Sequence, residues 1–165
     1  MRLFAALAWL GCTDSTTDSA TDAPSDAVDP LAWSLTEPGP FSVGFESWEA
    51  TYSPSDSVPV RTVRMNLWYP TNEASGSPAA YTFGVDPLSI ADAEPAPPVH
   101  ADGYPLHTFS HGDRSFGEAT AFMTRHLASH GWVTVTPNHS DNTLIDQQDP
   151  LSNAHYAQRP LDIRA

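Results

Sequence analysis

The chain has 165 residues, of which 40% are hydrophobic and only 16% are charged, and this length suits one small domain. Asp and Glu number 20 against 7 Lys and Arg, so the formal net charge is −13. That balance disfavours binding to nucleic acid or to an anionic membrane surface, because both require a basic face on the protein.

The N-terminus carries the pattern of an export signal. Residues 1–12 contain one basic residue, a short apolar run and then Gly11 and Cys12. We interpret them as a signal of the bacterial lipoprotein type with Cys12 as the lipidated residue; an ordinary signal peptide or a frayed apolar N-terminus is the alternative. The protein is therefore expected to be exported, either anchored to a membrane through Cys12 or secreted or periplasmic.

The next segment, residues 13–37, consists largely of Thr, Asp, Ser and Ala. Such a sequence has little to bury and repels itself, so it predicts a disordered acidic tether. A solvated acidic tail without an anchor would have the same composition. The folded domain is expected to cover residues 38–165.

Two segments alternate apolar and polar residues, which is the pattern of half-exposed strands. The first is 43–52, with a phase slip near Ser47 that predicts a bulge, and the second is 61–69. We expect the two strands to pair antiparallel at a sheet edge. The stretch 71–103 that follows is rich in Pro, Ala, Ser and Gly and predicts a long loop.

Residues 104–138 have the pattern of one βαβ unit, the building block of a parallel sheet. A short apolar strand at 105–109 runs into a turn at His111 and Gly112, and a second buried strand lies at 132–136. Open α/β sheets bind ligands at the carboxyl ends of their strands. The turn after the first strand is therefore the predicted chemical centre.

The helix of this unit carries start and stop signals. Ser115 and Glu118 form the S-x-x-E pattern of a capping box, and Gly131 is placed to end the helix. A later helix is expected to start near Pro160, which fits the first helical position. The predicted apolar face of the first helix consists of Ala119, Phe122, Met123, Leu127 and His130.

The chain lacks the G-x-S-x-G motif that presents the nucleophile in α/β serine hydrolases. The segment closest to this motif contains Ser115 but has one residue too many. We interpret Ser115 as a helix cap instead. His139, Ser140 and Asp141 have the residue types of a catalytic triad. Because they are consecutive, their side chains point apart and cannot form a relay.

A His-based metal site is the competing chemistry. His107 and His111, and likewise His126 and His130, are four residues apart. In a strand this spacing is too long for one ion, and the helix pair lacks both a general base and a third ligand. We therefore predict no metal and no cofactor, and we interpret His130 as a cation at the helix C-terminus.

Three segments resemble one family: FSHG at 109–112, LASHG at 127–131 and HSD at 139–141. They are similar to α/β-hydrolases related to platelet-activating factor acetylhydrolases and dienelactone hydrolases. The resemblance implies an α/β fold that is the incomplete, N-terminal part of an α/β-hydrolase sheet. In that sheet an antiparallel strand pair precedes the βαβ unit, and the strand order is 1-2-4-3-5.

The same resemblance implies a carboxylic-ester hydrolase that acts on a small ester or lipid without a cofactor. By the family pattern, the turn of His111, Gly112 and Asp113 supplies half of an oxyanion hole through the Asp113 amide. The nucleophile, the acid and the catalytic His are then expected beyond Ala165, and the chain alone is expected to be inactive. The alternative is a non-catalytic secreted module for binding or structure that reuses half of the fold.

Overall fold

The structure is a computed structural model, and it describes residues 33–54, 60–147, 150 and 153–165. The predicted export signal, including Cys12, and the predicted tether up to residue 32 lie outside this part of the chain. No helix among the described residues is long and apolar enough to span a bilayer.

One mixed sheet and two α-helices make up the described fold. In chain order the elements are β1 Ser42–Tyr52, β2 Arg61–Thr71, β3 Pro78–Tyr81, β4 Gly84–Ala91, β5 Leu106–Thr108, a 3-10 turn Gly117–Thr120, α1 Ala121–Ser129, β6 Val133–Asn138 and α2 Ala154–Asp162. The strand order across the sheet is β3-β4-β1-β2-β6-β5. This arrangement confirms the predicted α/β class.

The first two strands pair as predicted, but they lie at the centre of the sheet. β1 and β2 are antiparallel from Ser42 opposite Thr71 to Tyr52 opposite Arg61. Their register is continuous, so the bulge predicted near Ser47 does not form. β4 pairs with the outer side of β1 and β6 with the outer side of β2, so the prediction that this pair forms a sheet edge was wrong.

The stretch 71–103, predicted to be a loop, contains a hairpin. β3 and β4 pair antiparallel, and β4 also adds to β1 in parallel. Its strand signal is weak because Asp86 and Pro87 interrupt the apolar residues. The Asp86 side chain is nevertheless buried and lies 2.7 Å from Arg125 of α1, so a tertiary contact supports this strand.

The βαβ unit is confirmed. β5 and β6 are parallel, with Leu106 opposite Val133, and the Phe109 amide donates to the Val135 carbonyl at 3.0 Å. α1 forms the crossover between the two strands. The order β1-β2-β6-β5 is the 1-2-4-3 arrangement that the resemblance implies, and β5 lies at the edge of the described sheet.

The start of the crossover helix differs from the prediction. The 3-10 turn comes first, α1 begins at Ala121, and no side chain caps either element. Ser115 is therefore not an N-cap. Glu118 is 5% exposed and accepts hydrogen bonds from Thr82 Oγ1 at 2.7 Å and from Asn138 Nδ2 at 3.1 Å. Because a buried carboxylate needs donors, Glu118 joins the β3–β4 connection to β6 instead of capping a helix.

α1 buries mainly small side chains; of the predicted apolar face, His130 is buried and Met123 and Leu127 are half-buried. Ala121, Thr124 and Ala128 form its buried face at helical spacing, whereas Phe122 is 73% exposed. The predicted stop is confirmed, because Gly131 has a φ of 85°. The amides of Gly131 and of the next residue bond back to the last helical turn, which is a Schellman motif.

The last helix begins earlier than predicted. α2 starts at Ala154, and Pro160, expected at its first position, lies in its last turn. The earlier start places Asp162 at the C-terminal end of the helix, where its side chain is fully buried.

Candidate active site

Several elements converge at one edge of the sheet, which we term the carboxyl edge. β1, β5 and β6 end there, β2 begins there, and α2 ends against it. β5 continues into residues 110–113, termed the β5 turn, and β6 continues into His139. The N-terminal residue of β2 is Arg61, and α2 contributes Asp162. This is the edge at which open α/β sheets bind ligands.

His111 is the buried residue of the β5 turn, with 1% of its surface exposed. Its Nε2 accepts a hydrogen bond from the His139 amide at 3.0 Å, so the ring proton must lie on Nδ1. Nδ1 then donates to the Gly112 carbonyl at 2.7 Å. Burial lowers the pKa of His111 to about 4, which keeps the ring neutral near pH 7.

The β5 turn carries backbone amide donors that are not used within the described chain. Among the described residues, the amide hydrogens of Gly112 and Asp113 have no acceptor. A Cβ added to Gly112 would meet no atom within 4 Å, and the φ of Gly112 is not in the left-handed region. The fold therefore does not need glycine at this position, although a ligand that approaches the backbone would benefit from it.

The carboxylate of Asp113 is a potential obstacle to an oxyanion beside its own amide. The side chain is 59% exposed and lies 3.7 Å from Arg114 Nε. Water and the neighbouring guanidinium therefore screen its charge. Arg114 has a positive φ of 56°, and its amide donates to Asn142 Oδ1 at 3.2 Å.

His139 lies at the centre of the hydrogen-bond network at the carboxyl edge, and its side chain is fully buried. Nδ1 lies 2.7 Å from Asp162 Oδ2, and Nε2 lies 2.8 Å from Ser110 Oγ. The carboxylate fixes the ring proton on Nδ1, so Nε2 accepts from the Ser110 hydroxyl. Burial lowers the pKa of His139, although the hydrogen bond to Asp162 opposes that effect.

Asp162 joins four elements through one buried carboxylate. Arg61 Nε and Nη2 donate to its two oxygens at 2.6 and 3.0 Å, and the Tyr52 hydroxyl donates at 2.5 Å. Burial alone would raise the pKa of Asp162, but the hydrogen bonds from His139, Arg61 and Tyr52 lower it to about 2. We term Tyr52, Arg61, His139 and Asp162 the Asp162 cluster.

Ser110, His139 and Asp162 have the distances and the ring tautomer of a Ser-His-Asp relay. Three observations oppose a catalytic relay. His139 has no exposed surface, so a leaving group cannot reach it for protonation. Arg61 already neutralises Asp162, and Arg159 Nη2 donates to Ser110 Oγ at 3.0 Å. We conclude that this hydrogen-bond chain is structural.

The sequence analysis did not predict the contacts among Ser110, His139 and Asp162. Ser110 and Asp162 lie 29 and 23 residues from His139, and no local pattern joins them. The consecutive triad types His139, Ser140 and Asp141 do not form a relay, as expected, because His139 bonds elsewhere. Ser115, the nearest miss to a nucleophile motif, takes no part in the cluster.

Of the histidine pairs in the metal hypothesis, the helix pair binds backbone carbonyls. His126 Nε2 lies 3.0 Å from the Leu35 carbonyl, and His130 Nε2 lies 3.0 Å from the Ser34 carbonyl. These contacts hold the end of the predicted tether against α1. His107 Nδ1 is buried without a partner in the described part of the chain. Within that part, no group of three or more His, Cys, Asp or Glu side chains could hold a metal ion.

A cavity of about 290 Å³ opens beside the carboxyl edge. Arg64 and Asn138 contribute to its wall from β2 and β6, while Phe83 and Phe116 form an aromatic pair with ring centroids 4.9 Å apart. This volume lies at the lower end of the range for small-molecule sites. The other lining residues are Glu49, Thr82, Ser140, Thr143, Ile145 and Asp146.

Comparison with known proteins gives two similarities. The family model for platelet-activating factor acetylhydrolase, isoform II, matches residues 87–151. Among solved structures, a ferulic acid esterase from Streptomyces cinnamoneus superposes with a TM-score of 0.52 at 23% identity, over 66% of this chain and 37% of the esterase. At that identity the likeness shows the fold, and this chain spans little more than a third of the esterase. A search of curated proteins finds no match.

Proposed function

We propose, starting from the partial α/β-hydrolase fold that the chain shares with acetylhydrolase-like and esterase-like proteins, that it is part of a carboxylic-ester hydrolase. In this proposal the chain supplies the β5 turn and one side of the substrate cavity. The nucleophile, its acid and its catalytic His are contributed by sequence beyond Ala165.

The observation that carries this proposal is the state of the β5 turn. It lies at the carboxyl end of β5, the edge strand of the described sheet that corresponds to strand 3 of the hydrolase order. Its Gly112 and Asp113 amides have no acceptor in the described chain. In α/β-hydrolases, one amide from the loop after this strand and one after the nucleophile hold the acyl oxygen. The Asp113 amide is the donor that fits this role.

The chemistry follows from charge development. When an oxygen nucleophile adds to an ester carbonyl, the carbonyl oxygen becomes an anion, and a preorganised amide stabilises that anion more than the uncharged ester. Removing one such donor typically lowers kcat by about 10² to 10³. The turn therefore contributes to rate rather than to ground-state binding.

The cavity supports a small substrate. Its volume of about 290 Å³ suits a short acyl or aryl group and is too small to enclose a long lipid chain. Phe83 and Phe116 offer an apolar wall, while Arg64 contributes a guanidinium that is 34% exposed and lies 4.0 Å from Glu118. A small ester, or the short acyl end of a lipid, is the substrate class we propose.

Hydrolysis of p-nitrophenyl acetate tests the proposal. The 165-residue chain should be at background, whereas the complete reading frame that contains it should turn over and should carry G-x-S-x-G followed by Asp and His. In the active protein, Asp113→Pro removes the amide hydrogen and should lower kcat by about 10² to 10³. Asp113→Ala keeps that hydrogen and should lose far less.

Two other results would contradict the proposal. If the complete reading frame has no esterase activity, the alternative of a non-catalytic secreted module is favoured. If the 165-residue chain itself turns over and Ser110→Ala abolishes the activity, the hydrogen-bond chain of Ser110, His139 and Asp162 is a catalytic relay after all.

Export and lipidation through Cys12 also remain a proposal. The supporting features are the short apolar run before Cys12 and the polar segment after it. Metabolic labelling with a radioactive fatty acid in a bacterial host should label the full chain but not the Cys12→Ser variant. Labelling of neither, together with release of both into the medium, would contradict membrane anchoring.

A further inference from the structure

The β5 turn is held by side chains whose roles go beyond stability. The Gly112 carbonyl accepts from His111 Nδ1 at 2.7 Å and from the Ser115 amide at 3.3 Å. In a trans peptide the carbonyl and the next amide hydrogen point in opposite directions. Since the Gly112 carbonyl points at the buried His111 ring, the Asp113 amide hydrogen points away from it.

The ring of His111 is itself set by His139. The His139 amide donates to His111 Nε2 at 3.0 Å, so Nε2 carries no proton and Nδ1 carries the only one. The two rings also contact each other, with centroids 4.8 Å apart. The opposite tautomer of His111 would leave the His139 amide without an acceptor and would turn a lone pair toward the Gly112 carbonyl.

The Asp162 cluster fixes His139 in turn. Asp162 accepts from His139 Nδ1 at 2.7 Å and is held by Arg61 at 2.6 Å. His139 Nε2 also accepts a hydrogen bond from the Ser110 hydroxyl at 2.8 Å, so His139 contacts the β5 turn at both Ser110 and His111. The side chain of His139 therefore contacts Asp162, while its backbone amide contacts His111, whose ring contacts the Gly112 carbonyl.

We infer that His111 is a positioning residue that aims the Asp113 amide, and that the backbone amide of His139 holds His111 in the tautomer this requires. The inference rests on the proposed function, because it assigns how the oxyanion donor is oriented. The His111 side chain does not touch the substrate. It acts through the peptide between Gly112 and Asp113.

Two substitutions at His111 separate its effect on the orientation of the Asp113 amide from its effect on stability. Gln places an oxygen near the Nε2 position, so His111→Gln keeps an acceptor for the His139 amide but loses the donor to Gly112. Asn places a nitrogen near the Nδ1 position, so His111→Asn keeps the donor to Gly112 but loses the acceptor. Each variant loses one buried hydrogen bond, so both should lower Tm to a similar extent.

The activities of the two variants should differ. On p-nitrophenyl acetate, in the protein expressed from the complete reading frame, His111→Gln should lower kcat by about 10²-fold with KM within about twofold. His111→Asn should retain most of kcat. Equal loss in both variants, or no loss in His111→Gln, would overturn the inference. His126→Gln, at a ring that contacts the Leu35 carbonyl, is the matched control and should change neither parameter.

Nuclear magnetic resonance on the 165-residue chain tests the orientation without any activity. The ¹⁵N shifts of His111 should show a protonated Nδ1 and a bare Nε2. The Gly112 carbonyl and Asp113 amide signals should move in His111→Gln and stay near the wild-type values in His111→Asn. Unmoved signals in His111→Gln would refute the positioning role, whereas a correct orientation in a protein without esterase activity would refute the proposed function alone.

Discussion

Two buried carboxylates, Asp162 and Asp86, show how similar chemistry serves different ends in this fold. Each is paired with an arginine and accepts a hydrogen bond from a tyrosine hydroxyl at 2.5 Å. Asp162 closes α2 onto the carboxyl edge, and its partners lie 23 to 110 residues away. Asp86 is in β4, in the outer hairpin of the sheet.

The partners of Asp86 are mostly local. Tyr81 and Ser89 donate from the same hairpin, five and three residues away, and Arg125 of α1 completes the site at 2.7 Å. Burial would raise the pKa of Asp86, but the hydrogen bonds from Tyr81, Arg125 and Ser89 lower it overall. This group, termed the Asp86 cluster, consists of Tyr81, Asp86, Ser89 and Arg125.

Exposure of the arginine distinguishes the two clusters. The Arg61 side chain is 7% exposed and that of Arg125 is 25% exposed. If its carboxylate is removed, Arg125 can turn to water, whereas Arg61 remains a buried charge. The comparison teaches that the cost of losing a buried ion pair depends on how well the remaining charge can be hydrated.

Removal of Asp162 should have the largest effect. Asp162→Ala leaves Arg61 buried without its main partner and should lower the free energy of unfolding by about 3 to 5 kcal/mol. Urea denaturation followed by tryptophan fluorescence measures the change. Glu49→Ala, at an exposed residue, is the control and should cost under about 0.5 kcal/mol. A loss below about 1 kcal/mol for Asp162→Ala would remove the distinction between the clusters.

Acid should weaken the carboxyl edge through His111. Its native pKa of about 4 lies below the ordinary value of 6.5, so at intermediate pH the unfolded chain binds a proton that the native chain does not. This contribution to stability is therefore full above about pH 6.5 and is lost as the pH falls to about 4. The difference between the two pKa values corresponds to about 3 kcal/mol of unfolding free energy.

Urea midpoints measured from pH 7 to pH 4 test this expectation. The His111→Asn variant lacks the titrating ring and should show a smaller decline over the same interval by about 3 kcal/mol. Parallel curves for the two proteins would contradict it. Asp162, with a pKa of about 2, adds a further loss only below about pH 4, because a carboxylate with a lowered native pKa stabilises the fold above that range.

Removal of Asp86 should cost less than removal of Asp162. In Asp86→Ala the Tyr81 hydroxyl can still pair with Ser89, at 3.3 Å, and Arg125 can rehydrate. We expect a loss of about 1 to 2 kcal/mol in the same denaturation experiment. A cost equal to that of Asp162→Ala would show that hydration of the arginine is not the deciding factor.

Ser115→Ala, outside both clusters, should have the smallest effect. The hydroxyl caps neither the 3-10 turn nor α1, so the change in unfolding free energy should stay within about 0.5 kcal/mol. An N-cap would have contributed about 1 kcal/mol. A loss of that size would restore the capping role that the sequence pattern predicts.

The sequence determined the parts of this fold that depend on local signals. The antiparallel pair β1 and β2, the βαβ unit and the stop at Gly131 all follow from the periodicity of apolar residues or from one residue that tolerates a positive φ. The position of the β5 turn follows as well, because it comes directly after a recognisable strand.

Tertiary structure alone decided the hairpin at 78–91, the start of α1 and the Asp162 cluster. Asp86, Glu118 and Asp162 are charged residues that local patterns assign to turns, caps or the surface. Each is buried because donors surround it, and in each case at least one donor comes from a distant segment. Burial of a carboxylate is favourable only when those donors are present. Because those distant donors lie outside any local sequence pattern, the burial of these carboxylates is decided only when the chain folds.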